Sequence, residues 1–366
     1  MGFNCGIVGM PNVGKSTLYN ALTSTAQAAA ENYPFCTIEP NTARVPVPDA
    51  RLAKLAAIAH SAEIVPTQIE FVDIAGLVRG ASRGEGLGNK FLAHIREVDA
   101  VAHVLRCFED PNVTHVEGGI DPLRDAEIVA TELLLADLES LERRREPLVK
   151  KARGGDRDAR TQLALVERAL DALRAGRPAR SIERAPGERA AFRALQLITA
   201  KPVMYVCNVD EDSAAAGNDL TRAVAEMARA EGAGCVSVSA QIEAELAVMD
   251  DAEARDAFLV EMGLTEPGLN RVIHAGYGLL DLITFFTAGP KETRAWTLRD
   301  GGLAVEAAGV IHTDFARGFI RVEVIAYDDY VALGGEQAAK DAGKLRIEGR
   351  DYVIRDGDVL HFRFNV

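Results

Sequence analysis

Residues Gly9-Met10-Pro11-Asn12-Val13-Gly14-Lys15-Ser16 fit the pattern G-x-x-x-x-G-K-[ST], and their flanks constrain the fold more than any other stretch of the chain. The apolar run Cys5-Gly6-Ile7-Val8 reads as a strand entering the motif, while Leu18, Tyr19, Ala21 and Leu22 leave it at helical spacing. Strand, glycine loop and helix in that order gather backbone N–H groups at a helix N-terminus, where donors and dipole both favour phosphate. Lys15 can then reach the β and γ phosphates as a point charge, and the Ser16 hydroxyl can ligate Mg²⁺. A glycine turn that binds nothing needs neither group. The loop is therefore expected to hold a nucleoside triphosphate through Asn12, Val13, Gly14, Lys15, Ser16 and Thr17.

Three later segments read as the rest of a triphosphate switch. The proline-bracketed stretch 32–40 carries Thr37, placed after the phosphate loop where a Mg²⁺-linked γ-phosphate sensor belongs. The run 68–76 reads as a strand ending in D-x-x-G, with Asp73 near the Mg²⁺ and the Gly76 N–H toward the γ-phosphate. From Gly80 to Asn89 four glycines fall within ten residues, more freedom than a connector requires, so a second switch is expected there. Leu77 stands where many related hydrolases carry a water-orienting glutamine, so turnover should be slow or use a group from elsewhere. His115, in the loop after the strand ending near Arg106, is a candidate for that group, and a loop histidine with local bonds is the plain alternative. His103, inside the apolar run 99–107, reads as a packed histidine.

The base side is read from Asn208-Val209-Asp210-Glu211, at the end of another apolar strand. Guanine-specific proteins of this kind carry N-K-x-D, whose aspartate accepts from two guanine donors. Here the lysine is absent and Glu211 is one methylene longer, so guanine specificity should be weakened and adenine is admissible.

At 366 residues the chain suggests two or three domains. Its hydrophobic fraction of 48% and charged fraction of 26% suit a water-soluble protein with a sizeable core. No apolar run approaches the ~20 residues of a membrane span, and no signal-like start is present, so a cytoplasmic protein without a membrane partner is expected. Five scattered cysteines with no C-x-x-C pair argue against a zinc site or a disulfide framework. The net charge of −13 hides a basic segment, because residues 143–193 hold fifteen Lys/Arg against seven Asp/Glu. Such a segment is either a solvated helical face or an electrostatic footprint for a phosphate backbone.

Two leucine-rich stripes flank Gly154-Gly155 and predict an antiparallel helical hairpin within 121–199, inserted into one α/β nucleotide domain made of 1–120 and 200–278. Alternating runs at 319–325, 352–354 and 359–364, with a tight turn at Asp356-Gly357-Asp358, predict a small α+β module over 279–366.

With those residues laid out, the chain resembles the YchF-type Obg-like ATPases. The resemblance runs nearly end to end, through 9–17, 32–40, 73–89, Arg106-Cys107-Phe108-Glu109, 208–211, 239–245, 317–321 and 362–366. It implies a P-loop domain with a coiled-coil insertion, and a C-terminal TGS module of the ubiquitin-like β-grasp type. It also implies ATP preferred over GTP, ribosome binding, including contact with rRNA, and a regulatory role in translation or stress. On this reading Asn208 and Glu211 match an N-x-x-E element, Val209 contacts adenine through its backbone, and Ser239 belongs to the nucleotide site. His115 matches a histidine proposed to assist hydrolysis, and Asn12 a candidate ligand for a stimulating K⁺. Two readings of other kinds stand beside the slow ATPase. One is a nucleotide-gated binding protein whose hydrolysis is incidental, the other a GTPase of the same fold.

Overall fold

The computed structural model describes residues 3–32, 41–74, 87–110 and 119–365. Thr37, Gly76, Leu77 and His115 lie outside the described residues, as does most of 80–89. The chain divides into two compact units. The first holds most of the residues up to Ser24 and from Glu70 to Val272; the second holds Arg44–Ile69 and Ile273–Val366, with the end of the first helix.

The first unit is built on a six-stranded sheet, ordered β2-β4-β1-β5-β6-β7. Its strands are β1 (Asn4–Gly9), β2 (Thr42–Pro46), β4 (Gln68–Asp73), β5 (Ala100–Arg106), β6 (Val203–Asn208) and β7 (Gly234–Val238). From β4 through β7 all neighbours are parallel, and every residue of β5 is buried, as near-continuous apolar runs demand when both sheet faces are covered. Its helices are α1 (Lys15–Asn32) as far as Ser24, α3 (Leu87–Glu97), α7 (Asp219–Glu231), α8 (Ala240–Ala247), α9 (Ala252–Glu261) and the start of α10 (Gly268–Leu279), as far as Val272. His103 is buried beside the Tyr205 ring, and its Nε2 meets no hydrogen-bond partner among the described residues. Burial pushes its pKa down to about 4, which fits a packed histidine kept neutral.

The helical hairpin is α4 (Pro122–Arg153) and α5 (Arg157–Arg174), joined through Gly154 and Gly155 and followed by the short α6 (Arg189–Arg193). Leu141 of α4 and Val166, Leu170 and Leu173 of α5 are buried together with Phe192, Leu195 and Leu197. At the root Asp137, fully buried, accepts the N–H groups of Ile198 and Thr199 at 2.9 and 2.8 Å and the Thr199 hydroxyl at 2.7 Å. Lys201, two residues on, donates its ammonium to the carbonyls of Arg96 and Val98 at the end of α3. One node thus joins α3, the hairpin and the entry to β6.

The second unit carries another six-stranded sheet, ordered β11-β10-β12-β8-β9-β3. It comprises α2 (Ala50–Ala59), β3 (Glu63–Val65), β8 (Leu282–Ala288), β9 (Glu292–Arg299), β10 (Phe319–Ala326), β11 (Arg346–Glu348) and β12 (Asp358–Phe364), with α11 (Ala304–Ile311), α12 (Thr313–Arg317), α13 (Tyr327–Leu333) and α14 (Glu336–Asp341). Its membership differs from the sequence reading, which left 44–69 in the nucleotide domain. β3 pairs in parallel with β9, and Leu52 and Leu55 of α2 are buried against Phe286, Ala295, Ile325, Tyr330 and Val359. Arg51 fixes the helix further, bonding its neighbour Asp49 and reaching Asp356 at 2.6 Å. Tyr352–Ile354, read as a strand, forms only an isolated antiparallel bridge between Val353 and Leu303, made by the Ala304 N–H on the Tyr352 carbonyl and the Ile354 N–H on the Gly302 carbonyl.

Candidate nucleotide site

The phosphate loop leaves β1 at Gly9, at the carboxyl edge of the parallel strands where α/β sheets hold their ligands. Two residues turn it. Asn12 at φ 64° and Gly14 at φ 88° are in the left-handed region, which asparagine tolerates and glycine occupies without cost. Gly14 is required twice over, since a Cβ there would lie 2.1 Å from Nδ2 of Asn208. Helix α1 starts at Lys15, and the Leu18 N–H returns to the Gly14 carbonyl at 3.0 Å. Ser16 and Thr17 present exposed hydroxyls on its first turn.

Lys15 is largely buried, and its ammonium pairs with Oδ1 of Asp73. Asp73 ends β4 opposite Ile7, so sheet register brings the two sequence-predicted residues together. A hydroxyl at Ser16 and a carboxylate at Asp73 are hard oxygen donors, the kind Mg²⁺ takes, and they fit that ion. The Lys15 ammonium neutralises the Asp73 carboxylate at the end of β4.

Asn208 ties the two halves of the site. Its Nδ2 donates to the Val13 carbonyl at 3.0 Å, and its Oδ1 accepts the Ala240 N–H at 2.9 Å. The phosphate loop and the loop after β7 are therefore held by one buried amide. Ser239 is buried as the N-cap of α8, where its hydroxyl faces the Ile242 N–H. Asp210 spends its carboxylate on the Ser213 N–H at 2.8 Å, within the turn after β6. Glu211, half-buried, and Asp212, exposed, follow it in the same turn. The Val209 N–H is taken by the Val238 carbonyl at 2.9 Å, so a backbone contact from Val209 to a base falls to its carbonyl.

Two residues emerge whose roles the sequence reading did not assign. Arg106 is fully buried, donates to the carbonyls of Phe108 and Asp110 at 3.2 Å each, and lies 4.7 Å over the Phe108 ring. Asn218 donates to the Cys107 carbonyl at 2.7 Å. Together they fix the backbone of 107–110, from which the segment carrying His115 departs. An arginine closing a strand that is otherwise apolar except for His103 was the available signal.

Fold and site define a P-loop nucleotide-binding protein whose parallel-sheet domain carries a helical hairpin and is followed by a separate sheet module. Comparison with known proteins narrows the class. Residues 4–137 match the model of the 50S ribosome-binding GTPases, and residues 282–365 match the YchF-GTPase C-terminal model, described as a protein of unknown function. The "Ribosome-binding ATPase YchF" of Haemophilus influenzae is 57% identical over 366 residues, and that of Escherichia coli O157:H7 is 55% identical, each aligned over the whole of both chains. The Bacillus subtilis protein of that name is 50% identical over 368 residues, again with full coverage. The structure of the Schizosaccharomyces pombe YchF GTPase superposes with a TM-score of 0.89 at 37% identity, covering 99% of this chain and 97% of that one. A GTP-binding protein from Pyrococcus horikoshii, at 18% identity and a TM-score of 0.63, shares the fold. The chain belongs to the YchF family.

Proposed function

We propose that this protein is a slowly turning-over, Mg²⁺-dependent ATPase whose nucleotide state governs its binding to the ribosome in the cytoplasm, and through it translation. The observation that carries the nucleotide half is the Gly9–Ser16 loop with Lys15 set on Asp73 and braced by Asn208. In this reading Lys15 holds the β and γ phosphates, the N–H groups of Val13 to Thr17 line the loop, and Ser16, Thr37 and Asp73 hold Mg²⁺. Bound there, Mg²⁺ neutralises charge on the β and γ oxygens. Asn12 is the candidate ligand of a stimulating K⁺, and Gly76 faces the γ-phosphate. Leu77 cannot hold water by hydrogen bonding, so His115 orients the attacking water.

Base preference follows from donors and acceptors. Adenine offers an amino donor at position 6 where guanine offers a carbonyl acceptor. A Val209 carbonyl therefore suits adenine and opposes guanine, and Glu211, a methylene longer than the usual aspartate, does not restore the guanine contact. The ribosome half of the reading comes from relatives named ribosome-binding ATPases. Those names and the fission-yeast GTPase differ on the base, so the deciding experiment is calorimetric titration of the full chain with Mg²⁺-ATP and Mg²⁺-GTP. Tighter ATP binding, lost in Lys15→Ala, is expected; a clear preference for GTP overturns the adenine reading. His115→Ala should slow turnover while leaving affinity nearly intact, and equal turnover removes His115 from the mechanism.

A further inference from the structure

The structure sorts the basic segment into neutralised and unpaired charges. Along the hairpin shaft Arg143 pairs with Glu139, Arg145 with Glu167 and Arg174 with Glu142. Arg168 pairs with Glu188 and Arg180 with Glu231, while Arg144 donates to the Leu195 carbonyl at 2.7 Å. The distal turn is different. Lys150, Lys151 and Arg153 in the last turn of α4, and Arg157 at the start of α5, are all exposed and form no ion pair among the described residues. Arg160 also points its guanidinium at the turn, bonding the Ala152 carbonyl at 3.1 Å.

Helix stability explains part of this cluster only. Cations in the last turn of α4 complement its dipole, but Arg157 opens α5, where the dipole opposes a positive charge. Of the two acids flanking Arg157, Asp156 spends its carboxylate capping α5 through the Ala159 N–H at 3.0 Å, and Asp158, exposed in the first turn of α5, complements that helix's dipole. The turn carries no side chain at Gly154 or Gly155, so a large surface can approach its backbone closely. With 18 residues in α5, the cluster stands about 27 Å from the root at a rise of 1.5 Å per residue. Arg177, Arg189 and Arg193 near the root are exposed as well, but they are strung over 177–193 among Glu183 and Glu188.

We infer that Lys150, Lys151, Arg153 and Arg157 at the distal turn of the α4–α5 hairpin form a contact for the phosphate backbone of RNA. The assignment rests on the ribosome-binding reading above and names the part of the surface and the chemistry it engages. Closely spaced, exposed cations without partners suit a line of phosphates, whereas an apolar protein surface would need apolar groups at the tip.

The test uses the full chain, purified ribosomes and naked ribosomal RNA at several salt concentrations. In one variant Lys150, Lys151, Arg153 and Arg157 are changed to Ser; in the shaft control Arg143, Arg145 and Arg174 are. A third variant swaps the four tip residues Lys for Arg and Arg for Lys, keeping charge, and circular dichroism melting checks the hairpin in each. The tip variant should bind both probes about tenfold or more weakly at moderate salt, and its log K against log salt slope should be shallower by about 3, near 0.7–0.9 per lost phosphate contact. The shaft and charge-swap variants should bind like wild type, and basal nucleotide hydrolysis should be unchanged throughout. A tip variant that binds RNA normally, or a shaft variant that loses binding instead, overturns the assignment. So does loss of ribosome binding with no wild-type affinity for naked RNA, which would place the tip on a ribosomal protein. If wild type fails to sediment with ribosomes, the ribosome reading falls, while the naked RNA arm still decides the tip.

Discussion

At the residue scale the site depends on one amide. Asn208 satisfies the Val13 carbonyl and the Ala240 N–H at once, so Asn208→Ala orphans two buried backbone groups, each at a cost of about 1–3 kcal/mol. Nucleotide affinity should fall at least about tenfold by titration, and Asn208→Asp should not restore it, because a carboxylate cannot donate to Val13. Wild-type affinity in Asn208→Ala would mean that the two loops are braced otherwise. His103 gives a second, independent signature. Its folded pKa of about 4 lies below the ordinary 6.5, so protons prefer the unfolded chain. Above pH 6.5 the residue is neutral in both states and its contribution is constant. As pH falls from 6.5 toward 4 the unfolded state alone takes the proton, and stability drops by about 1.4 kcal/mol per pH unit. Urea melts of His103→Leu should lack that part of the slope; parallel pH profiles for variant and wild type would contradict the buried, neutral assignment.

Elements that announce themselves by local pattern were legible in the sequence. The glycine loop between strand and helix, the continuous apolar run of β5 and the leucine stripes of α4 and α5 each specify their structure within a few residues. The unread parts depend on distant partners. β3 is three residues long, with Glu63 and Ile64 exposed, and becomes a strand only through β9. Asp137 looks like any polar residue on a helix until the turn at 198–199 closes on it. Likewise, spacing singles out Glu211 as the base-side carboxylate, but the bond that commits Asp210 to its own turn is a matter of geometry. The Asp137 node carries a prediction for the hairpin. Asp137→Ala strands two buried N–H groups and a hydroxyl, so hydrogen exchange at Ile198 and Thr199 should rise sharply and the melting temperature should fall by several degrees. Asp137→Asn, which keeps an acceptor, should be milder. Unchanged exchange in the alanine variant would show that Lys201 and the apolar root hold the hairpin alone.

For the whole molecule, chain order and structural membership disagree. Residues 44–69 lie between the phosphate loop and Asp73 in sequence, yet they are built into the second unit. Cutting the chain at 278, where the sequence pattern changes, would therefore leave α2 and β3 without the partners that specify them. Leu52 and Leu55 would lose Phe286, Ala295, Ile325 and Val359, at about 1.5–3 kcal/mol for each leucine returned to water. Ser61 would lose the Gly289 carbonyl, Arg51 would lose Asp356, and β3 would become an unpaired edge. A fragment of residues 1–278 should bind a hydrophobic dye, self-associate in sedimentation and melt below the full chain. Leu52→Ser with Leu55→Ser in that fragment should reduce dye binding and association, while the same pair in the full chain should destabilise it, since both side chains are then core. The opposite sign of one double substitution in two chain lengths is the discriminating result. A monomeric fragment that binds no dye and melts like the full chain would show that 44–69 belongs to the nucleotide domain after all.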